Sequence, residues 1–176
     1  MKNFRLTLLT ACLICSLNFA AKAIIVQDTL HVVRDDQFLN YPLGTFNSFE
    51  SFKNTNTKLI PSKSISVRPY KNGRTEPATM FALQKSYARF YLNKETKKLE
   101  LIGSIILGNE MPLQNGIVVG MERTTFFKKM NIVDENTSAN TVEITSKTAG
   151  IRHFYQFKDN KLASIMIFSN LFYQKD

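Results

Sequence analysis

The sequence predicts an α+β fold of two tandem modules, each a short helix followed by an antiparallel β-meander. Three observations carry that expectation. β-rich runs come in pairs joined by short polar turns, which is how hairpins are written in sequence. An apolar residue and a glycine, Leu43-Gly44 and Val119-Gly120, stand ahead of a Phe-bearing stretch in both halves. Arg89-Phe90-Tyr91 and His153-Phe154-Tyr155 each sit just before a turn holding Asn and Lys. An internal repeat of this kind constrains architecture more than any single element does.

The first 23 residues read as an export leader. Lys2 and Arg5 make a basic start, residues 6–21 carry no charge, and Ala21-Lys22-Ala23 places small residues two apart. Those are the three parts of a signal peptide. A membrane span needs roughly 20 mostly apolar residues, and this run is broken by Thr7, Thr10, Ser16 and Asn18. Leu9-Thr10-Ala11-Cys12 resembles a lipobox, so a lipoprotein held through Cys12 is the alternative. Against it, residues 6–11 are shorter than the usual ~7–15 apolar positions, and the apolar run continues through Leu13, Ile14, Leu17 and Phe19. Soluble export, to the periplasm or the medium, is therefore expected.

Cleavage after Ala23 leaves about 150 residues, enough for a sizeable core. It removes both cysteines, Cys12 and Cys15. The mature chain then has no disulfide, thiol nucleophile or cysteine-based metal site. Losing Lys2, Arg5 and Lys22 lowers the formal net charge of +9 by three. A moderately basic chain suits anionic surfaces and equally suits ordinary solubility. No long apolar segment follows the leader, so no second span is expected.

Residues 24–40, with Ile24, Ile25, Val26, Leu30, Val32 and Val33, read as an extended arm or edge strand. Phe46, Phe49 and Phe52, three apart, mark one side of a short helix. Thr45 is placed to cap it. Residues 54–79 are polar, with Pro61, Pro69, Gly73 and Pro77, and read as an insertion carrying one short strand at Ile65 and Val67. Residues 87–92 and 99–107 form a hairpin about the polar turn at 93–97. In the second half, residues 116–121 lead into a helix over 122–130, and a strand follows at Val142-Glu143-Ile144. A last hairpin joins 151–157 to 162–168 through Lys158-Asp159-Asn160-Lys161. The expected division is an arm and first module over 24–110 and a second module over 111–176.

Val119-Gly120-Met121, the helix with Phe126-Phe127 and the strands ending at Phe168 carry a resemblance. Residues 117–168 resemble the exported αβ module of the beta-lactamase inhibitor protein-like and SmpA/OmlA families. That module runs from an apolar-Gly-Met start through a short helix into a three-stranded meander. The inhibitor proteins carry two in tandem, and the first half here matches loosely. The resemblance implies protein–protein binding or envelope structure rather than catalysis, and carries over no functional residue.

Chemistry-bearing patterns are sparse. His31 and His153 show no metal-binding spacing, so no metal and no cofactor are expected. His153 is in phase with Ile151, Tyr155 and Phe157 and reads as a packed histidine. Asp35 and Asp36 are adjacent, point to opposite sides of an extended chain and read as solvated. Asp134-Glu135-Asn136 lacks the continuation of a calcium loop. The phosphate-loop, dinucleotide and nucleophile-elbow signatures are missing from the sequence. The expected function is non-enzymatic binding of another exported or envelope protein across the sheet. The alternatives are an exported hydrolase or lyase with scattered Tyr, Arg and Glu residues around His153, or binding to an anionic surface.

Two residue sets are candidates for such contacts. Lys58, Lys63, Arg68, Tyr70, Lys71 and Arg74 lie in a stretch over 51–75 without Asp or Glu, suited to lipid or polysaccharide anions. An aromatic among cations also suits single-stranded nucleic acid, but export argues against that partner. Tyr87, Tyr91, Tyr155 and Phe157 are candidates for a concave sheet surface, with core packing the competing expectation for each.

Overall fold

The computed structural model describes residues 28–56, 58–67, 76–133, 138–146, 148 and 150–169, with the side chains of 62–67 and 76 outside that set. The leader with Cys12 and Cys15 lies outside the described residues. Eleven elements follow in chain order: β1 (Thr29–Val33), α1 (Gln37–Asn40), α2 (Phe49–Thr55), β2 (Ile60–Val67), β3 (Glu76–Leu83), β4 (Ser86–Asn93), β5 (Lys98–Ile106), α3 (Arg123–Met130), β6 (Thr141–Thr145), β7 (Ile151–Lys158) and β8 (Lys161–Ser169). The strands form one eight-stranded sheet in the order β1-β6-β7-β8-β5-β4-β3-β2. β1 pairs with β6 in parallel, while the other neighbours are antiparallel. The α+β class expected from the sequence is the observed one. No helix among the described residues is long and apolar enough to cross a membrane.

Alternation makes the strands. In β7, Ile151, His153, Tyr155 and Phe157 are buried while Arg152, Gln156 and Lys158 are exposed, the period of two that puts successive side chains on opposite faces. Asp159 and Asn160 both take positive φ, 50° and 59°. A two-residue turn of that hand matches the right-handed twist of its strands, so β7 and β8 close where the sequence places the turn. Between β4 and β5, the Asn93 Oδ1 accepts the N–H of Glu95 at 2.9 Å and of Thr96 at 3.2 Å. Such an Asx turn replaces bonds the ladder leaves open.

All three helices pack on one side of the sheet. α2 is capped by Ser48, not Thr45: Ser48 Oγ accepts from Ser51 N at 3.0 Å and Ser51 Oγ accepts from Ser48 N at 3.2 Å. The reciprocal bond needs a side-chain acceptor at the N-cap and at the third helical residue, a role Ser51 fills here, and Thr45 stands too early, beside Gly44 where the chain turns at φ 105°. The Phe52 ring then lies 4.6 Å from Phe90, 4.9 Å from Phe81 and 5.1 Å from Phe46. On α3, the Phe126 ring lies 4.7 Å from Tyr155 and 5.1 Å from Phe157. These two aromatic clusters are the ends of one continuous core.

β2 and the start of β3 lie within the segment 54–79, where the sequence suggests one short strand at Ile65 and Val67. A polar strand is tolerated there because β2 is an edge, paired on one side only. Pro61 sits at the register shift before Lys63, and Pro77 lies one residue beyond the β3–β4 ladder. Both prolines therefore occupy places where a missing N–H is cheap.

Phe52→Ala is expected to cost about 3–5 kcal/mol, the range for emptying a buried phenylalanine site. Half-buried Phe49→Ala on the same helix should cost clearly less, both read from urea midpoints at constant m.

Candidate binding face

Residues opposite one another in a ladder share a face, and the registers define two rows across the side away from the helices. The first runs Tyr87, Ile105, Met166, Phe154, Glu143 and His31. The second runs Met80, Arg89, Gly103, Phe168, Arg152 and Thr145. Among the described residues no helix packs on this side. Its centre is apolar: Tyr87, Ile105, Met166, Phe154 and Phe168 are half-buried, and the Phe154 and Phe168 rings meet edge-on at 6.0 Å.

Two cations border that centre. The Arg89 guanidinium lies over the Tyr87 ring at 5.7 Å and that of Arg152 over Phe154 at 5.8 Å. The Glu143 carboxylate takes His31 Nδ1 at 2.8 Å and Arg152 Nη1 at 3.8 Å. Gly103 adds no side chain between Arg89 and Phe168. The face is thus an aromatic and aliphatic band with arginine on both sides and one carboxylate at its β6 end.

The four aromatics expected to share a surface do not share one. Tyr87 and Tyr91 are on the helix-free side, whereas Tyr155 and Phe157 are in the core under α3. Tyr91 is itself buried with Ala78 and Ile102 and donates to Glu100 Oε2 at 2.7 Å. In β4 both phases carry apolar residues, and Ala88, Phe90 and Leu92 take the core, turning the tyrosines outward. Sequence reasoning missed Ile105, Met166 and Phe168. The signal was an apolar run in each strand, Ile105-Ile106 in β5 and Ile165-Met166-Ile167-Phe168 in β8, the mark of strands apolar on both faces.

The cationic set lies mostly outside the described residues. Lys58 is exposed after α2, and Lys63 pairs through its backbone with Met80. Arg68, Tyr70, Lys71 and Arg74 lie outside the described residues, as do Asp134, Glu135 and Asn136. Among the described residues no three His, Cys, Asp or Glu side chains converge as metal ligands.

The polar residues in the core are positioned by the arm. His153 is fully buried, its Nε2 3.0 Å from the Leu39 carbonyl and its Nδ1 2.9 Å from the Tyr155 hydroxyl. A carbonyl only accepts, so Nε2 carries the proton and Nδ1 accepts from Tyr155. Burial pushes His153 down to about 4, against the smaller opposing effects of the Leu39 carbonyl and Asp36. Burial pushes the Tyr155 hydroxyl up, with Asp36 adding to the shift, so it stays a donor. Asp35 and Asp36 do separate, but they are engaged rather than merely solvated. Asp35 Oδ1 accepts from Ser146 Oγ at 2.7 Å and Thr148 Oγ1 at 3.0 Å, while Asp36 caps α1 through Leu39 N and pairs with Arg34 at 2.9 Å.

No family model, curated protein or solved structure matches the chain.

Tyr155→Phe is expected to cost about 1–3 kcal/mol, because Nδ1 of His153 then becomes a buried acceptor without a donor. The measurement is the denaturation free energy at neutral pH, with unchanged m showing that the fold persists.

Proposed function

We propose that this chain is an exported, non-enzymatic binding protein that engages another exported or envelope protein through the helix-free face of its sheet. The observation that carries this is the pair of rows centred on Ile105, Met166 and Phe168, an apolar band bordered by Arg89 and Arg152. Interface centres favour aromatics, Met and Arg over Lys and Glu. The fitting partner presents an aliphatic or aromatic ridge edged by carboxylates. A hydrolytic role around His153 is disfavoured, since both ring nitrogens are engaged inside the core.

In this reading the face spans two tandem modules, 24–110 and 111–176, as in the families that the second half resembles. Several features support it. α2 and α3 each precede a meander, and the last strands of the two, β5 and β8, pair antiparallel across the join. Gly44 and Gly120 both adopt left-handed φ, 105° and 92°. Leu99 N donates to Phe46 O at 2.7 Å, and Leu162 N donates to Met121 O at 2.8 Å. The stretch before each helix is thus tied to the start of its meander's last strand in the same way.

A photo-crosslinking residue at Met166 should yield a discrete adduct in envelope extract, and one at exposed Lys128 on α3 should not. Ile105→Asp with Met166→Asp should reduce capture at least tenfold while far-UV circular dichroism is unchanged. Equal capture by the variant removes the face from the interaction. Mass determination of the purified N-terminus tests the address: Ile24 supports soluble export, and a lipidated Cys12 overturns it.

A further inference from the structure

The arm of β1 and α1 is joined to the rest of the fold by one parallel ladder, by Leu30, Val32, Phe38 and Leu39 packed on the core, and by several polar contacts. Among the described residues β1 pairs only with β6, in parallel, and parallel ladders are slightly the weaker per residue. Asp28 Oδ1 accepts from Asn140 N at 3.1 Å, Asp35 holds Ser146 and Thr148, and Arg34 reaches the Met130 carbonyl. Leu39, wholly buried, brings its carbonyl to His153. Phe38 closes the other side, its ring 5.9 Å from the imidazole. The arm thus covers one side of the buried imidazole.

The neutral ring with its proton on Nε2 satisfies both hydrogen bonds of His153. A second proton makes Nδ1 a donor, so the Tyr155 hydroxyl must turn to accept it and gives up Nδ1 as its own acceptor. Asp36 favours the cation, but by less than burial disfavours it. Asp36 and Arg34, the nearest charges, pair with each other at 2.9 Å, and Asp36 also caps α1. β6 presents Ile144, β8 presents Ile167, and α3 presents Met130 towards the arm. When the arm lifts, water reaches the ring and solvates the charged form.

We propose that the β1–α1 arm is an acid-released clasp, opening when His153 takes a second proton while β2 to β8 remain folded. The sign follows from the depressed value. The closed arm holds His153 near 4 against an ordinary 6.5, so the open form binds more protons between those limits. Closure is fully favoured above the upper limit and is lost progressively down to the lower one. Two-state linkage with those values makes opening roughly twentyfold more frequent at pH 5 than at pH 7. His31 on β1 also pairs with Glu143 on β6 at 2.8 Å, but it is 60% exposed and such pairs are weak. Release uncovers the outer backbone edge of β6, which the chain's own β1 occupies when closed.

Amide hydrogen exchange on the full chain, corrected for intrinsic rates, tests this. Peptides over 28–40 should lose about twentyfold in protection from pH 7 to pH 5, with β7 and β8 peptides changing by less than about threefold. Arm protection that holds at pH 5, or an arm that opens together with β7 and β8, overturns the proposal. His153→Gln keeps a donor for Leu39 and an acceptor for Tyr155, so it should abolish the pH response. A response that persists in the folded variant also overturns it. A second readout needs no variant: imidazole carbon shifts of the wild type should show the neutral Nε2–H ring in the closed form at pH 5. A closed form already carrying the charged ring at that pH refutes the clasp.

Discussion

The short antiparallel pairing of β5 with β8 is the contact on which the rest of the molecule depends. It runs from Gly103 with Phe168 to Ile106 with Ile165. Without it the chain would be two half-sheets, each with its own helix and an unpaired inner edge. With it, Ile106, Ile165 and Ile167 join the aromatic clusters under α2 and α3 into one core. The same residues' neighbours, Ile105, Met166 and Phe168, appear on the opposite side as one band. The core and the proposed binding face are therefore two consequences of one register, and a slip of one residue would exchange them.

How much of this was legible in the sequence follows the range of the interactions. Local patterns were readable: the Phe46, Phe49 and Phe52 spacing, the alternation through His153, and the turns at Asn93 and at Asp159-Asn160 all report on neighbours a few residues away. The helix cap was misplaced by three positions, because Thr45 and Ser48 are equally good hydroxyls and only the turn at Gly44 decides between them. The two decisive pairings, β5 with β8 and β1 with β6, left no local mark. Nothing in residues 29–33 says that their partner lies at 141–145.

The candidate site was less legible, for a related reason. Alternation gives two phases for every strand but does not say which phase faces the helices when both are apolar. In β4 that ambiguity placed Tyr87 and Tyr91 with Tyr155 and Phe157, when the pairings put them on opposite sides. The engagement of His153 is a similar case. Its phase is visible in Ile151, Tyr155 and Phe157, yet the carbonyl it bonds belongs to Leu39, brought there by the arm. Asp35 and Asp36 became structural for the same reason, since their partners, Ser146 and Thr148 for one and the α1 cap for the other, exist only once the arm is docked.

The β1–β6 ladder also sets an order of events. Its strands are the first and the sixth in the chain, and closing so long a loop has an entropic cost met only when the partner is in place. As the chain emerges from its N-terminus, β2, β3, β4 and β5 have all their neighbours except β8 within a few tens of residues. β1 has to wait for β6. During that interval the arm is a loose strand with a ready edge elsewhere, and the edge need not be its own. Two chains meeting at high concentration can each lend β1 to the other's β6, and exchange of an identical element is a low-cost route to a dimer.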